Sequence, residues 1–366
     1  MATAARVVVA MPEGPLQVRD VDLPDPGPTQ VLVRQSASGI CHSQLHHLHR
    51  ERSAPILLGH ESTGEVLAVG DEVSHVAPGD MVFVAWVPRS PEAAAHWRGG
   101  FALDLGDGAA ATTADVFTWA THTIADESLV VKAPSSVARD VTAIIGCAVM
   151  TGAGAVMNTA KVQPGESVAI FGVGGVGLSA VTAAAAAGAD PIIAVDLDNE
   201  KLVFAQRFGA THAVNAADGD PIAAIRSITA GRREGLGFRG IPIEGVDYAF
   251  DCIGHAVTMG QIVAAARPGR FGVEPGGTAV LVGVPTTSLD LDATTVLMTE
   301  KRFIGSIGGS CSPDRDFDTF VEWHADGRLP LDDMVTERFS LDEVNEACDA
   351  LANGRIAGRA IFDLEA

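Results

Sequence analysis

Three separate segments of the chain carry thiol, imidazole and carboxylate groups of the kinds that bind metal ions. They contain Cys41, His60 with Glu61 beside it, and Cys147. Two thiolates and one imidazole are a sensible zinc ligand set, and they leave a fourth position open for water or a substrate. The segments lie far apart in the chain, so their spacing cannot establish a site. For Cys147, a buried core thiol is the alternative interpretation.

A glycine cluster offers a second kind of chemistry. Residues 172–177 read Gly-Val-Gly-Gly-Val-Gly, after the apolar run 168–171 and before the helix-forming run 178–187. In such a loop the first glycine makes the tight turn, the second lets a pyrophosphate approach the backbone, and the third lets the helix pack on the strand. The glycines concerned are Gly172, Gly174, Gly175 and Gly177. We predict a dinucleotide site at this helix N-terminus, the alternative being a plain glycine-rich turn.

Asp196 ends the next predicted strand, 191–196, about 20 residues beyond the glycines, where dinucleotide-binding folds place an acidic residue. A carboxylate there accepts hydrogen bonds from the adenosine ribose and repels a 2′-phosphate, so the sequence favours NAD over NADP. Lys201, a little further along, is placed to reach the same ribose. The alternative is that Asp196 only caps a helix.

A group of histidines follows the first cysteine. Ser43, His46 and His47 are three and four residues apart, so they share one face if 43–50 is helical. An imidazole titrates near neutral pH, which suits His46 to the last step of a proton relay. The alternative is a solvated histidine-rich helix or an adventitious metal patch.

The residues named above lie in a chain with three regions that differ in their predicted secondary structure. Residues 1–148 are mostly short strands with Gly/Pro turns, which predicts a barrel-like β domain. Residues 149–305 alternate strand and helix, which predicts a parallel, doubly wound sheet. The sequence pattern of residues 306–366 is again similar to that of the first region. Within it, Ser340 and Glu343 form a capping box at the start of a helix. We therefore predict an α/β protein in which the nucleotide domain is inserted into a catalytic domain.

Composition excludes several classes of function. The chain of 366 residues has 25 Lys+Arg against 46 Asp+Glu, a formal charge of −21, which argues against nucleic-acid and anionic-membrane partners. We expect no signal peptide, and no apolar run of about 18 residues predicts a membrane span. The five scattered cysteines are an odd number and do not suggest a disulfide framework. They fit a reducing compartment, so we expect a cytoplasmic protein.

Taken in order, the motifs resemble those of the zinc-dependent alcohol dehydrogenases of the medium-chain dehydrogenase/reductase superfamily. The resemblance covers essentially the whole chain, and the tail is most similar to the class III-like bacterial branch. It implies a GroES-like β-barrel catalytic domain and an inserted Rossmann domain. The motifs are Cys41-His42-Ser43, Gly59-His60-Glu61 with Gly64, Pro78-Gly79-Asp80, Gly146-Cys147 with 151–154, the glycine loop and Asp196.

The resemblance assigns the metal site. It implies that Cys41, His60 and Cys147 bind the catalytic zinc, and that Glu61 enters the coordination sphere during ligand exchange. Many family members carry a carboxylate at the position of Gln44, where it hydrogen-bonds the zinc-bound histidine. A neutral amide can still orient that histidine but makes it a less basic ligand.

The resemblance also assigns residues around the substrate and the cofactor. Ser43 hydrogen-bonds the substrate oxygen, His46 passes the proton to solvent by way of the nicotinamide ribose, and Trp86 lines the substrate pocket. The implied cofactor contacts are Thr151, Val176 and Val284 at the nicotinamide, and Arg359 and His42 at the pyrophosphate.

The segment 88–115 departs from the family pattern. Many members bind a structural zinc there through four closely spaced cysteines, whereas this segment has no cysteine. We therefore expect one catalytic zinc per chain and no structural zinc, with 92–97 as a short helix in its place. Without the metal, packing must hold the segment, or it stays mobile.

The sequence therefore predicts an NAD-dependent enzyme that transfers a hydride between a small-molecule alcohol and its carbonyl product at one zinc ion. The family forms homodimers and homotetramers. One alternative is a zinc-free reductase of the same superfamily, which acts on activated double bonds. A second is a formaldehyde dehydrogenase that oxidises a thiol adduct, and a third is a non-catalytic NAD-binding protein that uses the fold for assembly.

Overall fold

The computed structural model describes residues 2–97, 99–106 and 108–365. Arg98 and Asp107 of the predicted replacement segment lie outside the described residues. The chain divides into two compact units. Unit 1 comprises Met1–Met150 with Ser312–Ala366, and unit 2 comprises Thr151–Cys311.

The N-terminal part of unit 1 consists of strands and two short helices. In chain order they are β1 (Thr3–Ala10), β2 (Gln17–Leu23), β3 (Gln30–Ile40), α1 (His42–Leu48), β4 (Ile56–Leu57), β5 (Ser62–Val69), β6 (Met81–Val84), α2 (Pro91–His96), β7 (Phe101–Asp104), β8 (Ala110–Thr113), β9 (His122–Asp126) and β10 (Val130–Lys132).

The chain then alternates between helix and strand. The elements are α3 (Ala148–Gly154), β11 (Val168–Phe171), α4 (Gly175–Ala186), β12 (Ile192–Asp196), α5 (Asn199–Arg207), β13 (His212–Asn215), α6 (Pro221–Thr229), β14 (Tyr248–Asp251), α7 (Ala256–Ala265), β15 (Thr278–Leu281), α8 (Ala293–Thr299) and β16 (Arg302–Gly305).

The C-terminal part of unit 1 returns to mixed structure. It holds α9 (Pro313–Ala325), α10 (Leu331–Met334), β17 (Val335–Phe339), α11 (Val344–Ala352) and β18 (Arg359–Asp363). The predicted capping box is confirmed, because Ser340 and Glu343 hydrogen-bond each other's residues at the turn before α11. No helix among the described residues is long and apolar enough to cross a membrane.

Within the described part of unit 1, the strands form two sheets. One has the order β2-β1-β4-β8-β7, and the other has the order β10-β6-β5-β3-β18-β17 with β9 paired to β3. The C-terminal strand β18 lies antiparallel to β3, so Ala360 pairs with Ile40. The last residues of the chain therefore complete the sheet that its first third begins.

Apolar clusters among the described residues stabilise these sheets. Valines of β3, β5 and β6 fill the interior of the second sheet, and side chains of β1, β2 and β9 fill the space beside the first. Helix α11 covers β18, where the fully buried Phe362 meets the edge of Trp119 with ring centroids 5.3 Å apart. Burying each such side chain stabilises the fold by about 1.5–3 kcal/mol.

The described residues of the segment 88–115 form a short helix and a pair of strands. The predicted short helix is confirmed as α2, which Ser90 caps by accepting from the Ala93 N–H at 3.2 Å. The β7–β8 hairpin follows, and its Phe101 stacks on Phe117 with ring centroids 5.6 Å apart. Leu103 of the same hairpin is buried in the core.

Unit 2 contains a parallel sheet with the order β13-β12-β11-β14-β15-β16 in the described residues. Every neighbouring pair is parallel, and each crossover carries a helix. In this strand order, ligands bind beyond the carboxyl ends of the central strands, where the order reverses. The predicted α/β class, with a GroES-like β-barrel unit and a Rossmann doubly wound sheet, is confirmed.

Candidate active site

Strands β3 and β5 bring the first two metal-binding segments together. They are antiparallel, and where β3 ends the Gly39 N–H donates to the Glu61 carbonyl at 3.1 Å. Cys41 follows β3 directly, and His60 stands just before β5. Cys147 follows a 3-10 helix, Val141–Gly146, and its Sγ lies 3.8 Å from Sγ of Cys41.

The donor set fits a zinc ion. Ligand atoms of Cys41, His60, Glu61 and Cys147 all lie within 4.8 Å of one another. A tetrahedral zinc with Zn–S bonds of about 2.3 Å would place two sulfurs about 3.8 Å apart, as observed for the two thiols. The structure thus brings together the three predicted ligands and the predicted neighbouring carboxylate.

The pKa values of the two thiols are shifted in opposite directions. The hydrogen bond from Cys147 holds the pKa of Cys41 well below its usual value, helped by the nearby charge of Arg359 and by His60 and opposed by burial. The same hydrogen bond, with burial, raises the pKa of Cys147 well above its usual value. One thiolate is therefore already favoured at the cluster, as a metal ligand must be.

Glu61 and Arg359 form a buried ion pair beneath the thiols. The Glu61 side chain is fully buried, and Arg359 is 6% exposed. Burial raises the pKa of Glu61, and the positive charge of Arg359 opposes that shift. The Ala148 N–H also donates to Glu61 Oε2 at 3.3 Å. At residue 39 a Cβ would overlap the Glu61 carboxylate, so only glycine leaves this space.

Arg359 therefore contacts a residue, Glu61, that the family resemblance did not indicate as its partner. It was predicted to contact the cofactor pyrophosphate, and in unit 1 its guanidinium contacts the Glu61 carboxylate. Its Nε has no hydrogen-bond partner among the described residues.

Gln44 joins the metal-binding histidine to the backbone. Its side chain is buried, its Nε2 lies 2.6 Å from Nδ1 of His60, and its Oε1 accepts from the Gly59 N–H at 2.9 Å. Gln44 is thus placed to orient the imidazole, as expected from its position after Cys41.

Helix α1 carries the predicted relay residues. It spans His42–Leu48, so Ser43 and His46 are one turn apart, and it ends before the predicted limit of residue 50. The Ser43 hydroxyl donates to Sγ of Cys41 at 3.2 Å, and His46 is half-buried. Burial lowers the pKa of His47, the residue beside it.

Trp86 stands two residues beyond β6. Its side chain is half-buried, and its indole N–H is buried without a hydrogen-bond partner in the part of the chain that the structure describes. Val84, the last residue of β6, pairs with Ser62, the residue after Glu61. Trp86 therefore follows a strand that is paired with the strand next to the cluster.

Two residues near the cluster carried no signal in the sequence. Thr118 Oγ1 accepts from the Glu61 N–H at 3.2 Å and lies 2.8 Å from Ser38 Oγ. Burial raises the pKa of Asp115, and the charges of His60 and His47 oppose that shift. Both lie in an irregular segment, so neither periodicity nor a local motif could have indicated them.

The glycine loop of unit 2 follows β11. Gly172 has φ 83°, and at Gly177 a Cβ would overlap the Gly172 carbonyl, so both positions require glycine. Gly174 precedes α4 as its N-cap, and Gly175 begins the helix. The Asp196 carboxylate accepts from the Val173 N–H at 2.9 Å, so the acidic residue and the loop are directly joined.

The remaining predicted cofactor residues lie at separate places in unit 2. Thr151 is buried, and its hydroxyl has no partner among the described residues. Val176 lies in the first turn of α4, and Lys201 lies on α5. Val284 follows β15 and is 50% exposed.

Comparisons with known proteins match most of the chain. A zinc-binding dehydrogenase model matches residues 175–326, and an alcohol dehydrogenase GroES-like domain model matches residues 27–135. An alcohol dehydrogenase class-3 of Cereibacter sphaeroides is 32% identical over 95% of this chain and 97% of that protein. An S-(hydroxymethyl)glutathione dehydrogenase of Paracoccus denitrificans is 31% identical over 95% of this chain and 97% of its own.

Solved structures are similar along the whole chain. Benzyl alcohol dehydrogenase from Acinetobacter calcoaceticus superposes with a TM-score of 0.83 at 28% identity, covering 99% of both chains. An alcohol dehydrogenase zinc-binding domain protein from Burkholderia ambifaria has a TM-score of 0.84 at 31% identity, again over 99% of both.

Replacing Arg359 by methionine should destabilise the protein strongly. Glu61 would then be a buried carboxylate without its cation, which costs about 3–5 kcal/mol of unfolding free energy. The exposed pair Arg338–Asp140 gives a matched control, and Arg338→Met should cost less than about 1 kcal/mol. Urea unfolding of both variants measures this. Equal losses would mean that the buried pair contributes no more than a surface one.

Proposed function

The chain belongs to the zinc-dependent alcohol dehydrogenases of the medium-chain dehydrogenase/reductase superfamily, and from this we propose that it oxidises alcohols at one zinc ion held by Cys41, His60 and Cys147. The observation that carries the proposal is the buried cluster of donor atoms within 4.8 Å of one another. Its two sulfurs have the separation that tetrahedral zinc requires. A zinc-free reductase would have no use for such a cluster.

When bound, zinc acts as a Lewis acid that lowers the pKa of a coordinated hydroxyl group, as it lowers that of water to about 7. The residues around it prepare the cluster. Burial excludes water from Cys41 and Cys147, and Arg359 offsets part of the negative charge that the thiols and Glu61 bring together. Glu61 lies within reach of the cluster and serves as the exchangeable carboxylate.

We propose that helix α1 carries the proton away from the substrate. The Ser43 hydroxyl lies against the Cys41 sulfur, so it is within hydrogen-bond range of a group bound beside that sulfur. His46 follows one turn later and is half-buried, so it can exchange a proton with solvent. Trp86 supplies a wall of the substrate pocket, and its indole N–H has no hydrogen-bond partner among the described residues.

Unit 2 supplies the NAD site in this proposal. The glycine loop leaves room for the pyrophosphate, and Asp196 is fixed beside it by the Val173 N–H. Lys201 reaches the same ribose, Thr151, Val176 and Val284 line the nicotinamide, and His42 and Arg359 contact the pyrophosphate. For Arg359 this second role would be shared with its ion pair to Glu61.

The substrate is proposed as a primary or secondary alcohol. The relatives named for S-(hydroxymethyl)glutathione favour a thiol adduct of formaldehyde as the second candidate. Because 88–115 has no cysteine, we propose that the catalytic zinc is the single metal of each chain. Activity with an alcohol panel and NAD, with and without glutathione or mycothiol, separates the two candidates. A homodimer or homotetramer is the proposed assembly, as in the family.

The purified protein should contain one zinc ion per chain, and its removal should abolish alcohol oxidation. NADH binding should persist, because the glycine loop lies in unit 2 and the zinc ligands lie in unit 1. Cys147→Ser should lose the zinc, whereas Cys348→Ser, a buried thiol on α11, should keep it. Elemental analysis and NADH titration measure both. Two zinc ions per chain, or full activity without metal, would refute the proposal.

The wild-type enzyme should prefer NAD to NADP by tens- to hundred-fold in kcat/KM, about 2–3 kcal/mol, because Asp196 repels a 2′-phosphate. Asp196→Asn removes the charge, so the preference should shrink. Its single amide oxygen can replace only one of the two carboxylate oxygens, which accept from Val173 on one side and from Leu197 and Asp198 on the other. Asp198→Asn, which alters only the cap of α5, should leave the preference unchanged. If both variants keep the wild-type preference, Asp196 does not select the cofactor.

His46→Gln should lower kcat mainly at neutral and low pH, since the variant loses the step that delivers the proton to solvent. Added buffer bases should restore part of the rate. His49→Gln, which follows α1 on the exposed side, is the control and should behave as wild type. A pH–rate profile of His46→Gln that overlays the wild-type profile would show that His46 takes no part in the relay.

A further inference from the structure

The carboxamide of Gln44 lies between a backbone donor and an imidazole. The Gly59 N–H points at Oε1 at 2.9 Å, and Nε2 lies 2.6 Å from Nδ1 of His60. A peptide N–H can only donate, so the amide oxygen must face Gly59 and the NH₂ group must face the ring. The orientation of the amide is therefore fixed by the backbone.

That backbone donor has little freedom to turn away. Gly59 has φ 91°, a conformation that favours glycine, and a Cβ at this position would overlap the backbone nitrogen of Trp119. The Gly59 amide is buried together with the Gln44 side chain, so water does not replace the bond. Turning the Gln44 amide over would oppose the N–H of Gly59 with an NH₂ group.

The NH₂ group in turn determines where His60 carries its proton. An NH₂ group donates, so Nδ1 must accept, and the neutral ring must be protonated on Nε2. Because Nδ1 is occupied by Gln44, Nε2 is the nitrogen left to face the thiols. A nitrogen that binds a metal cannot keep its proton, so a neutral zinc-bound ring would need its proton on Nδ1.

We infer that Gln44 is a positioning residue that holds metal-free His60 in the tautomer that does not bind zinc. Zinc binding then requires the Gln44 amide to turn over and give up the Gly59 bond, so the metal is held more weakly and exchanges more readily. A carboxylate at residue 44 would accept from both the Gly59 N–H and Nδ1–H without conflict. This inference rests on the proposed zinc site at Cys41, His60 and Cys147.

The first test is the tautomer of His60 in the metal-free protein. Nitrogen-15 shifts of the imidazole, assigned by their loss in His60→Asn and measured where the ring is neutral, identify the protonated nitrogen. We expect protonation at Nε2 in the wild type and at Nδ1 in Gln44→Glu. Protonation at Nδ1 in the wild type would overturn the inference, whether or not the protein binds zinc.

The second test is zinc affinity, measured by competition with a chelator. Gln44→Glu should bind zinc about 10–100-fold more tightly than the wild type, the usual size of effects from groups that bond a metal-binding histidine. Gln44→Met adds no charge. It removes the opposing NH₂ group together with the Oε1 acceptor of the Gly59 N–H, a bond that the proposed zinc-bound state gives up in any case. It should also bind zinc more tightly than the wild type, by a smaller factor.

Weaker zinc binding in Gln44→Met would mean that the amide supports the metal site, and it would overturn the inference. If Gln44→Met does not fold, the His60 tautomer and the zinc affinity of Gln44→Glu still test the inference. A wild-type protein that binds no zinc but shows protonation at Nε2 would refute the proposed function alone. One zinc per chain with protonation at Nδ1 would refute this inference alone.

Discussion

A fully buried carboxylate beneath two thiols and an imidazole is the constraint on which unit 1 depends. Such a group is strongly unfavourable without a cation, and Arg359 supplies one. Arg359 is the first residue of β18, which the sheet holds antiparallel to β3. The pairing of β18 with β3 therefore brings the C-terminal segment, and with it the cation for Glu61, to the cluster. Gly39 completes the arrangement by leaving space for the carboxylate.

The nucleotide unit depends on a different constraint, which is the close approach of backbone to backbone. Gly177 lies where any side chain would overlap the Gly172 carbonyl, so helix and strand can meet tightly. The Asp196 carboxylate then ties the end of β12 to the loop after β11 through Val173. Parallel strands with helical crossovers bring these two carboxyl ends side by side. A buried ion pair therefore stabilises the site in unit 1, whereas glycines that allow close backbone contact form the loop in unit 2.

The relatives and solved structures share these domains and are named for different substrates, which is common where one fold hosts several functions. In this chain the described residues of 88–115 include helix α2 and the paired strands β7 and β8, of which Phe101 stacks on Phe117 and Leu103 is buried. This segment has no cysteine, whereas many members of the family bind a structural zinc there through four cysteines.

Features that depend on neighbouring residues could be predicted from the sequence alone: the glycine loop, the strand–helix alternation of unit 2 and the capping box at Ser340. Their signals are local, because periodicity, turns and caps act over a few residues. The folded structure was needed to show that Glu61 pairs with Arg359 and that the Gln44 amide faces His60 with its NH₂ group. These contacts join segments that are distant in the chain or depend on a fixed backbone donor. No local pattern specifies them, since they arise from strand pairing and from the need to satisfy buried polar groups.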